Sequence, residues 1–170
     1  MTVSHAKPGH NNVEAVKSAN YILDTPGEYE IGGVFVYGIP MHFTNEDMAH
    51  YNVAYLIQYG GLNVLHLGDL MHVPEQSEIE AFGQINVLLL PVGGGNSLRA
   101  GLAAEVVALI EPNYVVPMHY ALPGLLVELD PVDKFLKEMG ISKPQEMDIL
   151  KVTSAALSDQ PQVVVLRAQT

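Results

Sequence analysis

Residues 52–70 read NVAYLIQYGGLNVLHLGDL. Two apolar-rich runs flank Gly60-Gly61, and a glycine pair between such runs is a hairpin signal. The same pattern stands just upstream in YEIGGVFVYGIPMHF, residues 29–43, with its turn at Gly32-Gly33. Two such hairpins predict antiparallel pairing. The second run of 52–70 then closes on His66, Leu67, Gly68 and Asp69. Open sheets gather their chemistry at strand ends, so Asp69 reads either as a ligand or as the cap of the segment that follows.

Downstream the character changes. INVLLLPVGGG (85–95) is a continuous apolar strand ending in glycines, as expected of a strand covered on both faces. SLRAGLAAEVVALIEP (97–112) is an amphipathic helix capped by Ser97 and stopped at Pro112. NYVVPMHY (113–120) is another buried strand, ending in His119. PVDKFLKEMG (131–140) predicts a helix with Pro131 at its start and Gly140 past its end. EQSEIEAF (75–82) is a helical turn or two, and QVVVLRA (162–168) a last strand. Ahead of the hairpins, NNVEAVKSA (11–19) predicts a short helix with Asn11 or Asn12 as N-cap, NYILDT (20–25) a strand and PGEYE (26–30) a turn. Hairpins followed by strand–helix–strand units predict a layered α/β sandwich of mixed sheets. The 170 residues are the size of one domain, 1–170.

Composition narrows the function. Apolar residues make up 48% of the chain and charged ones 16%, which describes a packed globular protein. The formal net charge of −11 would repel a phosphate backbone, and the eight Lys and Arg are scattered, so nucleic acid is not an expected partner. The absence of cysteine excludes disulfides and thiolate metal sites. No apolar run approaches the length of a membrane span. These features predict a soluble cytoplasmic protein.

Polar residues collect at the ends of apolar runs. His5 and His10 lie in the opening loop, His42 follows GIPM, Asp69 follows LHLG, and His119 follows VVPM. Such ends can converge on one edge of an α/β sandwich. Imidazoles plus one carboxylate, without thiols, suit zinc, manganese or iron. A metal there would lower the pKa of bound water and polarise a carbonyl or phosphoryl oxygen. Taken singly, each histidine is more often a hydrogen-bonded structural residue, and His50, His66 and His72 are read that way. Gly93–Gly95 lack the GxGxxG order and read as a turn. Glu28 and Glu30 share one face of a strand and read as a solvated pair.

The stretches TVSHAKPGHNN, DTPGEYEIGGVFVYGI, VLHLGDL, INVLLLPVGGG, IEPNYVVPMHY and KFLKEMG, in this order along nearly the whole chain, resemble the metallo-β-lactamase fold superfamily. The likeness is strongest to its branch of small, zinc-dependent hydrolase-like proteins related to the ascorbate-phosphate lactonases. The resemblance implies an αββα sandwich with the metal site at one edge of its two sheets. The family's H-x-H-x-D-H motif here reads His5-Ala6-Lys7-Pro8-Gly9-His10, so Lys7 replaces a histidine and Gly9 the aspartate. By the same resemblance Asp69 matches the bridging carboxylate, His119 the last histidine and His42 a further one. One metal position would keep His5, His42 and Asp69, and the other His10, His119 and Asp69. Three protein ligands plus water suffice for a catalytic zinc, so fewer ions than the dinuclear pattern, or none, are expected. A protonated Lys7 cannot ligate but can face a developing oxyanion.

The family also carries a segment before this loop that supplies the first strands of one sheet. Met1 falls almost on the loop, so those strands are expected to be missing. The resulting open edge could be met by a partner chain, an earlier start or a rearranged fold. The functional expectation is a metal-dependent hydrolase attacking an ester, lactone or phosphoester, with Asp69 and Lys7 as its catalytic residues. The alternative is a non-catalytic relative with a disabled metal site, acting as a binding protein or as an oligomeric scaffold joined through the open edge.

Overall fold

A computed structural model describes residues 1–41 and 51–168. Its strands are β1 (Gly27–Ile31), β2 (Val34–Met41), β3 (Asn52–Tyr59), β4 (Leu62–His66), β5 (Val87–Pro91), β6 (Tyr114–Met118), β7 (Gln145–Met147) and β8 (Gln162–Leu166). The helices are α1 (Gln76–Phe82), α2 (Ala100–Ile110) and α3 (Val132–Glu138). The strands hydrogen-bond in the order β1-β2-β3-β4-β5-β6-β8-β7, which leaves β1 and β7 at the two edges. The first half of this order is antiparallel and the second half parallel.

The antiparallel half follows from its turns. Ile31 pairs with Val34 and Tyr59 with Leu62, so each hairpin closes over two glycines. All four of these glycines have positive φ, between 59° and 80°. That is the mirror-image turn whose twist matches the flanking strands and which only glycine-like residues enter freely. The parallel half follows from its helices, since α1 and α2 return the chain so that β4, β5 and β6 run the same way. Their C-terminal ends therefore meet at one end of the sheet, where Asp69, Gly93 and His119 follow.

One sheet face carries the main core. Leu56, Leu65, Leu88, Leu90 and Val115 pack there with Phe82 of α1, Val106 of α2 and Phe135 of α3. Every one of them is nearly or fully removed from water. A smaller cluster of Leu23, Val36, Val53 and Tyr55 forms under the N-terminal segment. That segment is strapped down by backbone bonds from Val3 N to Leu23 O (2.8 Å) and from Val53 N to Ser4 O (2.8 Å). The Tyr55 hydroxyl donates to Val3 O (2.9 Å) and Leu23 O (2.7 Å). Burial pushes the Tyr55 phenol up to about 12, so it remains a donor.

Several local expectations change. Residues 11–19 form only a three-residue 3₁₀ turn, Val13–Ala15, that buries nothing, and a short helix without tertiary packing is marginal. NYILDT contributes a single bridge, Thr2 to Leu23, in place of a strand. GEYE is part of β1, with Glu28 and Glu30 exposed on one face as the alternation implied. Helix α2 starts at Ala100 with Arg99 at its N-cap, so Ser97 is not its cap. Strand β7 was not legible, because its residues lie at the edge and none is buried.

The strap through Tyr55 is open to a direct test. Tyr55→Phe removes a buried donor from two carbonyls, and a hydrogen bond of this kind is worth about 1–2 kcal/mol. Urea unfolding should show a loss of that size, and an unchanged midpoint would mean the strap is held by its backbone bonds alone.

Candidate metal centre

The site is built around the turn after β4. Gly68 adopts φ 58°, and a Cβ on it would stand 2.3 Å from Asn52 Oδ1 and 2.7 Å from Ser4 Cβ. Only glycine fits. Asn52, at the start of β3 and buried, clamps the turn from both sides. Its Nδ2 donates to Leu67 O (2.9 Å), and its Oδ1 accepts from Asp69 N (2.9 Å). Gly68 N donates to His66 Nδ1 (3.0 Å). His66 is thereby tied to the turn backbone, and burial holds its pKa below the ordinary imidazole value, which favours the neutral ring.

This clamp presents the Asp69 carboxylate, 8% exposed, to three imidazoles. His5 Nε2 lies 3.7 Å from Oδ2, His10 Nε2 lies 3.6 Å from the same oxygen, and His119 Nε2 lies 3.5 Å from Oδ1. The rings of His5 and His10 are 4.5 Å apart, and those of His10 and His119 are 5.5 Å apart. His5 and His10 thus face the same carboxylate oxygen and His119 faces the other. His42 lies outside the described residues, as does His50.

The ring tautomers can be worked out. The Ser97 hydroxyl donates its one hydrogen to Gly94 O (2.9 Å) and sits 3.1 Å from His119 Nδ1. A proton on His119 Nδ1, donated to that hydroxyl, leaves Nε2 as the ring atom facing Asp69. Ser4 Oγ lies 3.0 Å from His5 Nδ1, the same device on the other side of the site. His5 Nε2 is buried without a hydrogen-bond partner. Burial lowers the His5 pKa against the opposing pull of Asp69, while His10, Lys7 and His119 push it down further, so the ring stays neutral.

A buried nitrogen with no partner needs an explanation. Separations of 3.5–3.7 Å are too long for good hydrogen bonds. They are close to the spacing, about 3.3 Å, of two donors held 2.0–2.1 Å from one tetrahedral zinc. Imidazole nitrogens gathered on a carboxylate, with His5 held towards its neutral form by burial, are a donor set that fits a divalent metal. His119 is also one of two non-glycine residues with positive φ (52°) among the described residues. Strain of this kind clusters where a side chain must be aimed. Gly93 makes room for it, since a Cβ there would come within 2.2 Å of His119 O.

Lys7 and Gly9 line the cavity over these groups together with His10, Asp69 and His119; its volume is about 560 Å³. Gly9 has φ 90°, and nothing lies within 4 Å of where its Cβ would be, so the space of the family's aspartate is open. Asn52, Ser4 and Ser97 escaped sequence reasoning. Ser97 carried a signal that was assigned to a helix cap, and Ser4 offered only its adjacency to His5. Asn52 is a polar residue opening an otherwise apolar strand, a pattern with no specific meaning until the turn it clamps is seen.

Residues 1–119 match the family described as the Beta-lactamase superfamily domain. The UPF0173 protein of Pyrococcus furiosus is 38% identical over 117 residues, covering 69% of this chain and 51% of its own length. The UPF0173 metal-dependent hydrolase of Thermococcus kodakarensis is 32% identical over 117 residues, 60% of this chain and 52% of its own. The chain spans about half the length of these relatives. Among solved structures, a candidate zinc-dependent hydrolase of the metallo-β-lactamase superfamily from Thermotoga maritima superposes with a TM-score of 0.82 at 32% identity. The superposition covers 99% of this chain and 81% of that one. The mixed eight-stranded sheet and its helices are thus the metallo-β-lactamase-like α/β fold, and the chain belongs to the β-lactamase superfamily domain family.

Proposed function

We propose that the chain is a metal-dependent hydrolase whose metal would be held by His5, His10 and Asp69, the donors that lie mutually close, with His119 as a further ligand at the second oxygen of Asp69 and zinc the metal that best suits the donor set. The observation that carries this reading is the meeting of three imidazole Nε2 atoms, one of them buried and unpartnered, with the two oxygens of a single carboxylate. The names of the Thermococcus relative and the Thermotoga neighbour support the same class of activity. When bound, the metal supplies a Lewis acid and a water of lowered pKa. Asp69 would hold the metal and orient that water. Lys7, on the rim of the same cavity, offers an ammonium to the oxyanion that develops as water attacks an ester, lactone or phosphoester. Ser4 and Ser97 keep the His5 and His119 rings turned with Nε2 inward.

The disabled-site alternative rests on Lys7 and Gly9 and makes the opposite prediction for metal content. After dialysis against zinc, elemental mass spectrometry should find about one ion per chain. Asp69→Ala and His119→Ala should each lose most of it. Full metal content in both variants would overturn the ligand assignment, and a folded wild type that takes up no metal would favour the disabled site.

The serine contact supplies a finer test. Ser97→Ala removes a partner that orients a ligand through its second nitrogen, an effect worth about 10–100-fold in metal affinity. Competition with a chromophoric chelator should show a weakening in that range with an unchanged circular dichroism spectrum. Lys7→Ala should leave metal content near wild type while lowering turnover by on the order of 10²-fold, which separates its role from that of a ligand.

A further inference from the structure

The segment between β6 and α3 carries an unexplained feature. Leu122, Leu125, Leu126 and Val127 are 41%, 49%, 101% and 62% exposed. Four large aliphatic side chains in water on one loop is a concentration that marks a contact surface. The loop is not loosely attached. Ala121 N donates to Asp130 O (3.0 Å), and Asp130 N donates to Gly93 O (2.8 Å), which pins both ends beside the strand that precedes the glycine turn. Leu129 Cδ2 sits 3.1 Å from the position of a Cβ on Gly95, so the base of the loop packs on that turn. Rigid ends thus hold an apolar lip in place.

The lip faces the metal centre. Leu122, Leu125, Val127 and Leu129 form the wall of the cavity of about 560 Å³ whose floor is His10, Asp69 and His119. Its volume is that of a small-molecule site. Among the described residues, Lys7 and Asp69 are the charged side chains lining it. Arg99, Glu128, Asp130 and Lys134 line a second cavity of about 650 Å³ that shares Leu122, Leu125, Val127 and Leu129 with the first. A phosphoester or another multiply charged substrate would find one cation and a wall of hydrocarbon. A neutral carboxylic ester or lactone with an apolar chain would find a complementary wall, and Lys7 is placed for the carboxylate that hydrolysis releases.

We infer that the loop 122–129 is the acyl-chain subsite of the centre, and that the substrate is an apolar carboxylic ester or lactone. This rests on the hydrolase reading for the chemistry and on the cavity alone for the binding. In the reaction, a water oxygen bonds to the carbonyl carbon and the bond from that carbon to the leaving oxygen breaks. One water proton goes to the departing alcohol, and the acid releases the other to solvent.

The test uses the full chain loaded with zinc, and two probes that mimic the acid product, octanoate and acetate, in calorimetric titrations. Octanoate should bind at least tenfold more tightly, because burying each methylene contributes about 0.8 kcal/mol. In Leu125→Ser/Val127→Ser, both exposed positions, that ratio should fall to about two or less. Leu109→Ser, on the exposed side of α2, should leave the ratio as it is in wild type. Equal affinities for the two acids, or a double variant with the wild-type ratio, would overturn the inference. So would a wild-type dimer that the double variant converts to monomer, which would assign the lip to a second copy. Turnover of p-nitrophenyl octanoate, p-nitrophenyl acetate and bis-p-nitrophenyl phosphate separates the two proposals. Chain-length-dependent binding without turnover of any ester sinks the hydrolase reading and sustains the subsite. Turnover with no preference for the longer chain, or of the phosphate alone, sustains the hydrolase reading and sinks the subsite.

Discussion

The structure depends on how a nearly buried carboxylate is held against three imidazole rings. Taking Asp69 out of water is unfavourable unless partners replace the lost solvent. Its backbone N–H is satisfied by Asn52, but its side-chain oxygens face Nε2 atoms at distances too long for good hydrogen bonds. Such an arrangement is electrostatically incomplete, and a cation completes it. Much of the surrounding architecture serves this presentation. The β3–β4 hairpin places Asn52 opposite the end of β4, glycine at position 68 lets the turn pass within contact of Asn52, and parallel β5 and β6 bring Ser97 and His119 to the same end of the sheet.

The two sides of the site are assembled by different means. His119 is attached to a core strand, and its aim is set by a positive φ and by the Ser97 hydroxyl. His5 and His10 come from a segment with almost no regular structure, so their placement relies on the strap over β3. The Tyr55 hydroxyl and the Val53–Ser4 bond hold that segment within a residue or two of His5. Stability of the smaller core and geometry of the proposed metal centre are therefore linked through Tyr55, whose hydroxyl is bonded to the backbone of the segment that carries His5.

What could be read in the sequence tracks how local its physical cause is. Glycine pairs at 32–33 and 60–61 announced both hairpins because only one turn geometry uses them. The continuous apolar run before Gly93 and the His119 strand were equally plain, since burial on both faces leaves no alternation to misread. Residues 11–19 misled, because helix propensity without an apolar stripe has nothing to pack. The gathering of His5, His10, Asp69 and His119 was suggested by their places at the ends of apolar runs and given roles only through the family resemblance, as these residues span more than a hundred positions. Asn52 and Ser97 stayed hidden for a related reason, since each acts on a group far away in the chain.

Lys7 and Gly9 bear on how far the family's chemistry carries over. Replacing a histidine and an aspartate removes two donors, yet the remaining donors are not scattered. His5 and His10 lean on the same oxygen of Asp69, and their rings lie within stacking distance. Losing the aspartate opens space rather than creating a clash, because nothing occupies the position of a Gly9 Cβ. The ammonium of Lys7 acts on His5 in the same direction as burial, against the charged form of the ring. A cation at position 7 thus helps to keep a neutral donor at position 5 while being unable to donate itself. Against the pattern that the resemblance implies, Lys7 and Gly9 would give a roomier site with a positive charge at its rim, which suits the proposed single activated water and a substrate held by apolar contact more than by charge.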